Sequence, residues 1–123
     1  MRVPLTVNDF LDRAALVYGS RVGIVDEPEQ PAPSLGALTY QQVQVLARSH
    51  AASLDALGIG VGDRVAIVSH NAARLLLALF GVSGSGRVLV PVNFRLNAAE
   101  VEYIIEHSGA RMVLVDPELD DAL

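Results

Sequence analysis

Between Arg64 and Asp116 the chain reads "RVAIVSHNAARLLLALFGVSGSGRVLVPVNFRLNAAEVEYIIEHSGARMVLVD", and the rhythm of this stretch decides the fold. Three short apolar runs stand in it: RVAIVS at Arg64, RVLVPV at Arg87 and RMVLVD at Arg111. They lack the alternation of a strand that faces water on one side. Continuous runs suit strands covered on both faces of a parallel sheet. Parallel neighbours need a crossover of a dozen or more residues, usually a helix, and the intervening segments have helical patterns. The spacing therefore predicts an α/β fold with a β-α-β-α-β parallel core.

Four segments share one grammar of helix initiation. Leu5 to Phe10 offers Thr6 as N-cap with Asp9 three residues on, and Leu5 and Phe10 as a hydrophobic staple. Thr39 with Gln42, and Asn97 with Glu100, repeat the reciprocal arrangement. Asn71 is expected to cap the helix from Ala72, but Arg74 stands at the third position, where a cation opposes the helix dipole. From Tyr40, the residues Val43, Ala47, Leu54 and Leu57 recur at helical spacing, and Gly58 ends that helix in the left-handed conformation. Gly19 is expected to end the first helix in the same way. "AARLLLALFGV" from Ala72 is apolar on all sides and reads as a buried helix. Gly84 and Gly86 then terminate it and turn the chain into the next strand. The last helix, Ala98 to about His107, should bury Val101, Ile104 and Ile105 and expose Glu102 and Glu106. In front of the core lie a helix, a strand or hairpin beginning with "RVGIVDE" at Arg21, and a proline-rich surface loop from Pro28 to Leu38.

Composition narrows the function classes. The 123 residues suffice for one domain, and 51% of them are hydrophobic. Apolar runs end at about five to ten residues, short of the ~20 a spanning helix needs. The start, "MRVPLTVNDFLDR", turns acidic after one arginine and does not read as a secretory signal, so a cytoplasmic protein is expected. A net charge of −5 argues against nucleic acid, which needs a clustered basic surface. All nine basic residues are arginine. Without lysine there is no Walker lysine and no Schiff base. Without cysteine there is no disulfide and no thiolate.

Nucleotide phosphates dock where a glycine-rich turn leaves a strand and opens a helix, because the helix start presents free amides. After the first core strand the turn is "SHNAAR", which contains no glycine. The "GSG" at Gly84 follows a helix and precedes a strand, the wrong side for a phosphate. Among the histidines, His50 falls in mid-helix as a packing or surface residue. His107 sits in a last helical turn, where an imidazolium complements the dipole. His70, at the mouth of a βα turn, is the one placed where ligands bind such sheets. No two histidines have metal-ligand spacing on one element. Glu100 reads as a cap, Glu102 and Glu106 as a solvated face, and Asp116 as a turn residue. No nucleophile with an adjacent base is visible, so no catalytic, cofactor-binding or metal-ligating residue is assigned in the chain.

Two longer stretches carry a resemblance. "ALTYQQVQVLARSHAASLDALGIGVGDRVAIVSHN" resembles the family stretch LTYxEL…A…L…LGVxxGDRVAI…PN of the AMP-forming acyl-CoA synthetases. "VSGSGRVLVPVNFRLNAAEVEYIIEHSGARMVLVD" resembles their next stretch, LKAGAVxVPLNxRLxxxELxYIL…SGAKxLxxD. The resemblance spans about Thr6 to Asp116 and is nearest in flavour to the medium-chain fatty and aryl acyl-CoA ligases. It departs from the family at Ala73 and Arg74, which replace a small-acidic pair, and at Ser83, which replaces a lysine. It implies that residues 1–123 are the first segment of the large N-terminal AMP-binding domain. The Ser/Thr/Gly-rich ATP phosphate loop, the ribose-binding acid, the hinge and the C-terminal domain with its lysine would lie downstream. The implied parent joins ATP, a fatty or aryl carboxylate and coenzyme A into acyl-CoA, AMP and diphosphate, with Mg²⁺; this chain alone would be inactive. Its implied partners are the missing downstream part or a second copy, giving a dimer or larger species. The alternative is a non-catalytic α/β module that binds a protein partner; a stand-alone nucleotide-binding domain is disfavoured by the glycine-poor turns.

Overall fold

A computed structural model describes residues 5–123; part of the N-terminal stretch read for targeting lies outside them. The chain forms α1 (Val7–Tyr18), an antiparallel hairpin of β1 (Val22–Val25) and β2 (Ala37–Thr39), and α2 (Tyr40–Ala56). Then come β3 (Arg64–Val68), α3 (Ala73–Ala78), β4 (Val88–Val92), α4 (Ala98–Ser108), β5 (Met112–Val115) and the short α5 (Pro117–Asp120). A π-helical segment, Leu79–Ser83, continues α3 without a break. The α/β fold class and the parallel core are as the spacing predicts. β4, β3 and β5 form one parallel sheet in that order, with Ala66 opposite Val90 on one side and Val113 on the other.

Only the central strand is covered on both faces as expected: Val65 to Val68 are all buried. β4 and β5 are the sheet's edges and are half exposed. Side chains alternate across the sheet. Val65, Leu89, Met112 and Leu114 pack with Leu54 and Val82 beneath α2 and the π segment. Ala66, Val68 and Val92 pack with Val101 of α4 on the opposite face. α1 lies outside α2, where Leu11 joins Val43, Ala47 and Leu77.

The helix starts divide into those legible locally and one that is not. Thr39 accepts from the Gln42 amide at 3.2 Å while the Gln42 side chain accepts from Thr39 N at 2.8 Å. Asn97 and Glu100 exchange the same pair of bonds at 3.0 Å each. The Asp9 carboxylate accepts from Thr6 N at 2.7 Å, but Leu5 and Phe10 stay exposed, so the expected staple does not close. The expected cap at Asn71 is wrong. The N-cap position is Ala72, whose side chain supplies no acceptor, and the missing acceptor comes from another element. Gly19 ends α1 in right-handed geometry, unlike Gly58, whose φ of 76° is the left-handed turn expected there. Leu57 caps α2 and is exposed rather than part of its buried stripe.

α3 is not buried all round. Leu76 and Leu79 are each more than a third exposed, and with Leu75 they form an apolar wall beside β4. Gly86 at φ 82° turns the chain into β4, and Arg87 follows it into the interior. That guanidinium is 6% exposed. It donates to the Ile59 carbonyl at 2.9 Å, to Ser85 Oγ at 2.8 Å and to the Asp55 carboxylate. Among the described residues no helix is long and apolar enough to cross a membrane.

Candidate functional site

Ligands of parallel α/β sheets bind beyond the carboxyl ends of the strands. Here those ends bring together Ser69, His70, Asn93, Phe94, Arg95 and Asp116. Asp116 is buried, and one carboxylate oxygen accepts from Ser69 Oγ at 2.8 Å and from His70 N at 2.9 Å. It therefore ties the end of β5 to the turn after β3, more than the local turn role expected of it. The His70 ring rests on Phe94 at 4.3 Å, and the Arg95 guanidinium lies 5.5 Å from the same aromatic centre. These three side chains wall a cavity of about 280 Å³ closed by Ala32 and Gln30 of the proline-rich loop.

Asp26 decides what the βα turn after β3 can hold. It stands one residue after β1 and is 5% exposed. Its Oδ1 accepts from Ala73 N, the first amide of α3, at 2.9 Å. Its Oδ2 accepts from Leu35 N and from the Gln30 side-chain amide, each at 2.9 Å. Burial pushes this carboxyl up, but the amides of Leu35 and Ala73, the Gln30 side chain and the Arg74 charge outweigh it and hold its pKa below 3.8. A helix start is an anion site, and here the protein's own carboxylate fills it. At α4 the Glu100 carboxylate and Asn97 do the same. At each of these helix starts a carboxylate of the chain itself stands against the free amides.

The remaining polar groups lie apart. His50 is half-buried in α2, its ring against Gly81 of the π segment; a Cβ there would come within 2.7 Å of Nδ1. Burial pushes the His50 pKa below 6.5. His107 closes α4 and stacks on Tyr103 at 5.6 Å, and Glu102 and Glu106 face solvent as expected. Among the described residues, the only hydroxyl beside a carboxylate at the strand ends is that of Ser69, which is buried and donates to Asp116. It braces the turn after β3 against the end of β5. Among the described residues no group of three histidine, aspartate or glutamate side chains could hold a metal ion. Sequence reading missed Asp26 and Arg87 altogether. The one signal for Asp26 is an acid immediately after a strand, and its partner amide lies 47 residues away.

A cavity of about 530 Å³ lies beside β4, with Ile24, Leu75, Leu76, Leu79, Leu89 and Pro91 as its apolar wall. Asp26 and Glu27 stand at its rim.

The profile of the AMP-binding enzyme family matches residues 6–123, and the chain belongs to that family. It is 41% identical over 115 residues to a long-chain-fatty-acid–CoA ligase of Thermus thermophilus, a match covering 94% of this chain and 21% of that protein. Its fold superposes on a benzoate CoA ligase from Burkholderia xenovorans with a TM-score of 0.87 at 25% identity, over 98% of this chain and 23% of that one. The N-terminal domain of FACL13 from Mycobacterium tuberculosis matches with a TM-score of 0.81 at 33% identity, over 97% of this chain and 30% of that domain. The chain thus spans about a fifth of the length of the curated relative from Thermus.

Proposed function

We propose that this chain is the first segment of the large domain of an AMP-forming ligase that activates a fatty or aryl carboxylate for transfer to coenzyme A. Residues 1–123 are its scaffold and not its catalytic part. The observation that carries this reading is the filling of both helix starts at the strand ends by Asp26 and Glu100, in a chain matched over residues 6–123 to AMP-binding enzymes. ATP, Mg²⁺ and coenzyme A belong to the whole enzyme, and the residues that hold them lie outside this segment. The segment acts in the cytoplasm. Alone, it self-associates into a dimer or larger species, because the apolar wall of Leu76 and Leu79 is uncovered.

The test is pyrophosphate exchange with ATP, Mg²⁺ and octanoate or benzoate. The chain alone should give none. A chimera in which residues 1–123 replace the matched segment of the Thermus ligase should give exchange. Exchange by the isolated chain, retained through a second purification, would refute the scaffold assignment. Light scattering that gives a clean monomer at high micromolar concentration would refute the self-association.

A further inference from the structure

We propose that the cavity between α2, α3 and the carboxyl ends of β3 and β5 binds a small organic ammonium ion with an apolar body, held through Asp116. The site is independent of the ligase reading.

Strand alternation sets the residues in place. Val65, Met112 and Leu114 pack beneath α2, so Ile67, Ser69 and Asp116 turn to the same face of the sheet. Ile67 pairs with Leu114 in register, and the two form the floor of a cavity of about 370 Å³. Leu46 of α2, Leu77 of α3 and Pro117 wall it, and His50, Arg74 and Asp116 are its polar groups. Clefts of roughly 300–1,000 Å³ hold small molecules, so this space suits a compact one.

The polar groups select the charge of the ligand. Asp116 is 5% exposed, and among the described residues it forms no ion pair. Its Oδ2 accepts both of its hydrogen bonds, from Ser69 Oγ and His70 N, which leaves Oδ1 without a donor. Oδ1 is not sealed from solvent, and Asp116 borders this cavity. A buried charge is costly unless it is paired, and a ligand ammonium on Oδ1 supplies the missing pair. The neighbouring side chains do not. Arg74 Nη1 donates to the Pro33 carbonyl of the proline-rich loop. The His50 ring is fixed against Gly81, and burial keeps it unprotonated at neutral pH. A metal ion needs several ligating groups together, and among the described residues none gather here. The walls of Leu46, Ile67, Leu77 and Leu114 leave an apolar body as the rest of the ligand. A net charge of −5 draws cations toward the chain.

Benzylamine, benzyl alcohol and benzoate share one body and differ in charge, so together they test the site. Titrated into the isotope-labelled chain, benzylamine should give saturable amide shifts at Ile67, Ser69 and Leu114, with a Kd on the order of 1 mM. Benzyl alcohol should bind about tenfold more weakly, and benzoate should not bind. Asp116→Asn keeps an acceptor for Ser69 and His70 but presents an amide N–H to the cavity. It should weaken benzylamine by about tenfold. Leu46→Phe fills the cavity from its exposed rim and should weaken benzylamine as much while leaving Asp116 in place. It decides the outcome should Asp116→Asn fail to fold. Equal binding of the amine and the alcohol marks a merely apolar cleft and overturns the proposal. Tighter binding of benzoate assigns the cavity to an anion on Arg74 and also overturns it. So does an absence of saturable shifts with benzylamine, or undiminished binding by either folded variant.

Discussion

Replacing Asp26 by alanine should destabilise the chain more than any other single change at the strand ends. Two backbone donors lose their acceptor: Ala73 N, which is buried, and Leu35 N, which is half-buried. A buried donor left unsatisfied costs about 1–3 kcal/mol. Water partly reaches Leu35, so the sum is about 2–4 kcal/mol, a large share of the roughly 5–15 kcal/mol that holds a domain folded. Asp26→Asn keeps an acceptor for Ala73 but turns an N–H toward two other donors, and should cost about half as much. Urea unfolding followed by circular dichroism gives the magnitudes. Limited proteolysis between Pro28 and Gly36 reports the release of the loop. The pH dependence has a fixed sign. The folded pKa lies below the unfolded value of 3.8, so the contribution is full above 3.8 and is lost as pH falls through the lower folded value. The gap between wild type and Asp26→Asn should narrow over that window. An Asp26→Ala midpoint equivalent to less than ~0.5 kcal/mol of change would refute the reasoning, since an orphaned cap cannot cost so little.

Four further outcomes follow from the packing. Asn97→Ala should cost about 0.5–2 kcal/mol in the same urea assay, and Asn71→Ala almost nothing, because Asn71 caps no helix. Gly81→Ala should cost about 1–3 kcal/mol by pushing on the His50 ring, with much of the loss recovered when His50 is also made alanine. His50 holds a lowered pKa, so wild-type stability should decline as pH falls below 6.5, and His50→Leu should flatten that decline. Arg87→Met should cost about 1–3 kcal/mol by orphaning the Ile59 carbonyl, whereas Asp55→Ala, at the exposed end of the pair, should cost less than ~1 kcal/mol in parallel melts.

What the sequence made legible is local. Capping at Thr39 and Asn97 is written within four residues, and the three valine-rich runs mark the three strands, although only β3 is buried on both faces and β4 and β5 are half-exposed edges. What stayed hidden depends on separation. The acceptor for α3 comes from Asp26, 47 positions upstream, and no spacing rule reaches that far. The sequence offers a strand or a hairpin after Arg21 and does not choose between them, because β2 has only three residues and no alternation to detect. The composition of α3 reads as buried on all sides, but Leu76 and Leu79 on its outer face are exposed, because composition does not say which face a neighbour covers. At the strand ends the turn after β3 has no glycine, and the carboxylate seated at the start of α3 is invisible to any local reading.

The π-helical turn at Leu79–Ser83 carries one residue more than the α turn it stands for. Deleting one residue inside it would let the helix close as α, and the side chains beyond would keep nearly their present direction. Deleting one in α3 ahead of the turn would instead rotate everything beyond by about 100° and carry Val82, fully buried against Leu54 and Val65, out of the core. The extra residue also sets Gly81 under the His50 ring, where no larger side chain fits. Chains that share this packing should therefore tolerate a one-residue gap at this turn before anywhere else in the helix.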